Sequence, residues 1–421
     1  MPDAIADSRS NQGCCLRFCI SVARQYGIPA GSQDLVREDS GCPALSEIIN
    51  IYQKSSFKYK RESLSLSPVY WFSRKTNLFM VAAFGVLLLA TLFQGSFGIC
   101  FKKYKPFSWE AFWALFSVIG VLLMPNIWAF IWIGKDYFHY LSQTPWQMLI
   151  GGVAAGFFWG VSAIWYSLAI DDIGVSLVTG INMALSNLLG SLVPMVVLHA
   201  YPKTATFIAI LAGQAVLIAG VVVLSKAGFM KSSRMKQAEL QKAEGARSGK
   251  NSKFMVGFIM ALASGAGSAA VNIGATLSKT PIDLAVSGGV KPMYATLLGW
   301  VVVFFGGFLS NFGYALYKLI RNKTYKDYVK PGCGIAYGKV LLTSFVWFAA
   351  MGLYGFAVSM LGRLGPVIGW VMFNGLALIV ANIWGFVDGE WKGHRKPRNV
   401  ALVGNLIIVI ALVLLGATNA M

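Results

Sequence analysis

Trp159 and Tyr166 stand seven residues apart in WGVSAIWYSLAIDDIG (residues 159–174). Trp347 and Tyr354 repeat that spacing in WFAAMGLYGFAVSMLG (residues 347–362), where Ala357 answers to Ala169 and Gly362 to Gly174. Seven residues is about two helical turns, so each indole shares a helix face with its phenol. Carried forward, the same offset of 188 positions pairs Asn182 with Trp370 and Ser186 with Asn374. Ser162 flanks the first aromatic face, Ser268 and Asn272 lie one turn apart, and Gln94 interrupts an apolar run. Uncharged amides, hydroxyls, indoles and phenols suit a neutral polyol, because they hydrogen-bond its hydroxyls and cover its C–H faces. The expected binding set is therefore Gln94, Trp159, Ser162, Tyr166, Asn182, Ser186, Ser268, Asn272, Trp347, Tyr354, Trp370 and Asn374. The competing reading is interfacial aromatics together with helix–helix hydrogen bonds, which are individually worth only about 0.6 kcal/mol in a membrane.

Such residues must be held by helices in lipid. The 421-residue chain is 56% hydrophobic and only 13% charged, with repeated apolar runs long enough to cross a bilayer. The expected architecture is all-α, with spans at 77–99, 109–133, 146–170, 174–197, 205–226, 254–278, 292–316, 338–360, 364–387 and 399–420. FMV at 79–81 recurs at 254–256, each opening a set of five spans. An odd-numbered unit present twice must enter the membrane in opposite senses, which gives two inverted five-helix repeats around a midplane site. The expected segments are a poorly structured extension 1–76, a first repeat 77–226, a linker 227–253 and a second repeat 254–421. Gly152, Gly156 and Gly160 make a small-residue stripe for close helix contact in span 3.

A net charge of +19 raises nucleic-acid binding, but the basic residues are distributed by loop. The loops after spans 1, 3, 5, 7 and 9, with their flanking turns, hold 21 Lys and Arg; the alternate loops hold 5. That asymmetry places the first set in the cytoplasm, with the lipid bilayer rather than nucleic acid as the partner. Lys54, Lys58, Lys60, Arg61, Arg74 and Lys75, ahead of span 1, argue the other way. Cys14, Cys15 and Cys19 fit no standard zinc spacing, and no metal or organic cofactor is expected. The sequence contains no Gly-rich phosphate loop and no compact His, Asp or Cys constellation for nucleophilic chemistry, so neither ATP-driven transport nor an enzyme is expected.

FKKYKPFSWEAFW within residues 100–116, GGVKPMYATLLGWVVVFFGGFLSNFGYALYKLI at 288–320 and EWKGHRKP at 390–397 resemble the L-rhamnose–proton symporter family of the drug/metabolite transporter superfamily. The resemblance covers about 77–421. It implies a ten-helix sugar importer of the bacterial inner membrane, taking L-rhamnose or a related 6-deoxy sugar or monosaccharide, with H⁺ as the coupling ion. A carrier or exporter of another small metabolite and a membrane sensor that binds sugar without moving it stay open alongside. The oligomeric state is open as well.

Proton coupling calls for a carboxylate that substrate can influence. Glu110, in the Ser-Trp-Glu word of the resemblance, and Asp171, at the end of span 3, are the candidates. Ser108 ahead of an acidic first turn is equally a helix cap. His139, His199 and His394 fall in loops.

Overall fold

The computed structural model describes residues 68–418, apart from 101–103, 174 and 241–249. Ten helices are long and apolar enough to cross a membrane, and no strand occurs among the described residues. Helices satisfy every backbone hydrogen bond internally, which is what lipid demands of a spanning segment. The spans are α1 (Pro68–Cys100), α2 (Trp109–Ile133), α4 (Trp146–Ile173), α5 (Val175–Val197), α6 (Thr204–Leu240), α7 (Lys250–Leu277), α9 (Pro292–Arg321), α10 (Cys333–Met360), α11 (Gly365–Val387) and α12 (Arg395–Thr418). Two short helices that the apolar pattern does not announce, α3 (Asp136–Gln143) and α8 (Lys279–Ser287), replace expected loops. Neither is long enough to cross alone: α3 lies between two spans, and α8 forms the last part of the sixth, Phe254–Ser287.

Two boundaries depart most from the sequence expectation, and one span is wound differently. Helix α1 starts at Pro68 instead of 77, proline being well suited to a first turn. Helix α6 runs unbroken to Leu240, because SKAGFMKSSRMKQAEL contains no proline and is rich in good helix formers. Span 2 is not a regular α-helix: Ser117–Leu123 is wound as π-helix, followed by Pro125, which donates no backbone bond. There Ser117 Oγ donates to the Trp113 carbonyl (2.7 Å) and Asn126 Nδ2 to that of Leu122 (2.7 Å). The cysteines at 14, 15, 19 and 42 and most of the 1–76 extension lie outside the described residues, as does the side chain of Asp171.

The site lies within the compact unit Thr76–Met421. Its centre is the contact of α4 with α7 and α9, and the glycine stripe explains the closeness. A Cβ at Gly156 would run into the Val303 carbonyl, and one at Gly160 into Ser310 Oγ, while Gly306 presses in the same way on the Val153 carbonyl. At Gly156 and Gly306 the two helix backbones are thus in direct contact, with no side chain between them. Helix α6 packs on α12 by the same device, with Gly220 facing the Gly404 carbonyl at 3.1 Å from its would-be Cβ.

Candidate functional site

A cavity of about 750 Å³ opens between the helices at the end where spans 1, 3 and 7 finish and span 2 begins. Its lining comes from α1 (Gln94, Phe97), α2 (Trp109, Glu110, Trp113), α4 (Trp159 to Leu168), α5 (Asn182), α7 (Ser264, Ser268) and α9 (Asn311, Tyr314, Lys318, Asn322). That volume falls in the range of small-molecule sites.

Aromatic planes are fixed around it. Trp159 stacks on its spacing partner Trp347, with centroids 5.7 Å apart and planes 14° off parallel, and Phe304 closes against both indoles. Trp109 and Trp113, one turn apart on α2, stack at 5.5 Å and 13°. Trp113 Nε1 donates to Asn311 Oδ1 (3.0 Å), while Asn311 Nδ2 donates to the Gly307 carbonyl (2.8 Å). Asn311 therefore uses both ends of its amide to hold an indole at the cavity wall. Two flat apolar faces and a rim of amides and hydroxyls are the equipment that sugar rings require.

The polar groups fall into two sets. Inside the cavity, Asn182 Nδ2 donates to Ser264 Oγ and Ser268 Oγ, and the Tyr166 hydroxyl pairs with Thr179 Oγ1 at 2.6 Å. Ser162 Oγ donates to the Trp159 carbonyl (2.6 Å), and Gln94 Oε1 has no hydrogen-bond partner among the described residues. At the mouth, Glu110 Oε1 accepts from Asn322 Nδ2 (2.9 Å) and from Thr324 Oγ1 (2.8 Å), tying the start of α2 to the end of α9. The Ser108 cap is also present, its Oγ accepting from Ala111 N–H at 3.4 Å.

The remaining expected residues lie elsewhere. Asn272 donates through Nδ2 to the Gly190 and Pro366 carbonyls (2.6 and 2.9 Å) and accepts from the Tyr354 hydroxyl (2.8 Å). Trp370 Nε1 donates to the Ser186 carbonyl (3.0 Å), and its ring meets Tyr354 edge-on. Asn374, one turn beyond Trp370 on α11, is buried, and its Nδ2 has no partner among the described residues. Ser186, Asn272, Tyr354 and Trp370 are therefore brought together as a packed knot joining α5, α7, α10 and α11, and neither they nor Asn374 belong to the cavity lining. Trp347 forms the backing of Trp159. Of the expected set, the cavity gathers Gln94, Trp159, Ser162, Tyr166, Asn182 and Ser268, with Glu110 at its mouth.

Residues outside the expected set also line it. Ser264 lies one turn before Ser268, on the stripe that continues to Asn272, so helical spacing could have found it. Asn311, Tyr314, Lys318 and Asn322 lie on one side of α9, and Lys318 Nζ sits 5.8 Å from the Tyr314 ring centre. Beyond the membrane end, Asp327 accepts from Ser108 N–H (2.7 Å) and pairs with Lys330 (2.6 Å). Burial acts to raise its pKa, but the Lys330 ammonium and the Ser108 N–H outweigh it and hold the carboxyl below its ordinary 3.8. Burial, with Tyr337, Asp327 and Glu110 nearby, pushes the Tyr328 phenol up to about 12, so it stays protonated and donates to the Ala111 carbonyl (3.0 Å).

Known proteins share this sequence pattern. The protein from Klebsiella pneumoniae named L-rhamnose-proton symporter is 25% identical over 334 residues, covering 75% of this chain and 91% of its own. The like-named protein of Cronobacter sakazakii is 25% identical over 335 residues (76% and 93%), and that of Mannheimia succiniciproducens 24% over 325 (75% and 91%). The family described as L-rhamnose-proton symport protein (RhaT) matches residues 77–421. With that match spanning every helix that builds the cavity, the chain belongs to the L-rhamnose-proton symport protein family of multi-pass membrane carriers.

Proposed function

We propose that this chain imports a neutral sugar, L-rhamnose or a related 6-deoxy sugar or monosaccharide, by proton symport across a bacterial inner membrane. The observation that carries the reading is the cavity: about 750 Å³, walled by the Trp159 indole that stacks on Trp347, lined by further indoles, amides and hydroxyls, with the charges of Glu110 and Lys318 at its mouth. A sugar ring lies against Trp159, with Asn182, Ser268 and Gln94 as hydroxyl partners. The two five-helix halves are inverted repeats, and rocking one against the other exposes the site to each side in turn. In the arrangement described here the Tyr166 side is open, while its spacing partner Tyr354 is closed in by Asn272 and Trp370.

Glu110 is the coupling group in this reading. Asn322 and Thr324 occupy Oε1, so an incoming proton is taken on Oε2. Neutralising the carboxylate removes the charge assistance from both bonds and loosens the α2–α9 joint at the mouth. Asp171 is retained as a second candidate for the proton path.

Uptake of labelled L-rhamnose and a monosaccharide panel into proteoliposomes, with an imposed inward proton gradient, tests the reading. Accumulation that collapses with a protonophore is expected. Absence of both accumulation and counterflow for every monosaccharide would reject it.

A further inference from the structure

The α5–α7 contact holds a hydrogen-bond pattern that packing does not account for. Asn182 Nδ2 donates to Ser264 Oγ at 2.7 Å and to Ser268 Oγ at 2.9 Å, so both of its N–H groups are in use. Each serine oxygen is there as an acceptor. Ser162, Ser278 and Ser310 settle their own O–H on a carbonyl three or four residues back, and Ser191, which also accepts from an amide (Gln214), is not part of the cavity lining. Ser264 and Ser268 make no such bond among the described residues, and Asn182 Oδ1 has no donor there. All three side chains line the cavity.

The backbone is built to permit this. A Cβ on Gly265 would meet Leu185 Cβ at 2.7 Å and Asn182 Cα at 3.2 Å, so only glycine lets α7 come this close to α5. Gly267 gives the same room to Ser162, one turn from the Trp159 ring. The cluster presents two O–H donors and one carbonyl acceptor beside a flat apolar face. A carboxylate would meet the Asn182 carbonyl oxygen, which only accepts, and an ammonium would leave both serine O–H groups with nothing to donate to. Two adjacent hydroxyls, each able to accept and to donate, match all three groups at once.

We propose that Asn182, Ser264 and Ser268 are a specificity-determining subsite that reads a vicinal diol on the cargo, an inference that rests on the sugar-carrier reading above. The test follows ligand protection of the purified full chain against heat, titrating L-rhamnose, its monodeoxy derivatives and the non-sugar vicinal cyclohexanediol. The wild type is expected to bind L-rhamnose about tenfold more tightly than at least one monodeoxy derivative. Ser264→Ala and Ser268→Ala are expected to weaken L-rhamnose about tenfold and to lose that discrimination, a pattern that a merely structural lesion would not produce. Ser264→Cys, with similar shape and a weak donor, serves if the alanine variants do not fold. Variants that discriminate among the deoxy sugars as the wild type does would overturn the subsite and leave the sugar reading intact. If no sugar binds or is carried, yet the cyclic diol protects the wild type and not Ser264→Ala, the sugar reading falls and the subsite stands. Protection by no diol of any kind overturns the subsite.

Discussion

Glu110 meets two donors just beyond the end of α9, and Ser108 caps the helix that Glu110 opens, so the capping and coupling readings of this carboxylate are compatible. Substituting Glu110→Gln keeps an acceptor for Asn322 and Thr324 but removes the titration. Counterflow of sugar is then expected to persist while gradient-driven accumulation is lost; a variant that still accumulates sugar would move the coupling role elsewhere. Asp327 sits just outside the membrane and shows the sign of a depressed carboxylate. Its stabilising contribution is full above the unfolded value near 3.8 and disappears as pH falls through the lower folded value. Lys330 is half exposed, so most of the contribution belongs to the charged bond from Ser108 N–H. Asp327→Asn should cost about 2 kcal/mol at neutral pH. Thermal unfolding in detergent from pH 7 downward should show the gap to the wild type closing in acid.

Helix positions were largely legible from hydropathy, because a bilayer allows few other solutions for apolar runs of this length. The glycine stripe at 152, 156 and 160 was legible for the same reason. Gly156→Ala should push its Cβ into the Val303 carbonyl, a backbone atom that cannot step aside, and destabilise by about 1–3 kcal/mol. Gly151→Ala, whose Cβ would meet only the Leu277 side chain at 3.5 Å, should leave the unfolding temperature nearly unchanged. Less was legible in the site. Equal spacing marked Tyr166 and Tyr354 as equivalent, but one lines an open cavity and the other is locked to Asn272. Spacing describes a helix face, whereas access depends on which helices press on that face in a given arrangement. The π-turn at Ser117–Leu123 was hidden too, since hydropathy does not distinguish five-residue from four-residue closure.

For the whole molecule, the cavity opens at the end that carries Glu110, Lys318 and Asn322, the side rich in basic loops. In a background without native cysteines, Ser167→Cys should react with a membrane-impermeant thiol reagent from that side, and Tyr354→Cys from neither side, in the ligand-free carrier. Labelling of the Tyr354 position from the opposite side alone would assign the resting state to the other conformation. The Trp159–Trp347 sandwich has a further bearing on the cycle. Under the proposed two-fold relation these indoles exchange places with one another, so reversing the halves maps the pair onto itself. Cargo would touch one ring on arrival and its twin on departure, and the plane between them is the one stretch of the route that neither half has to surrender.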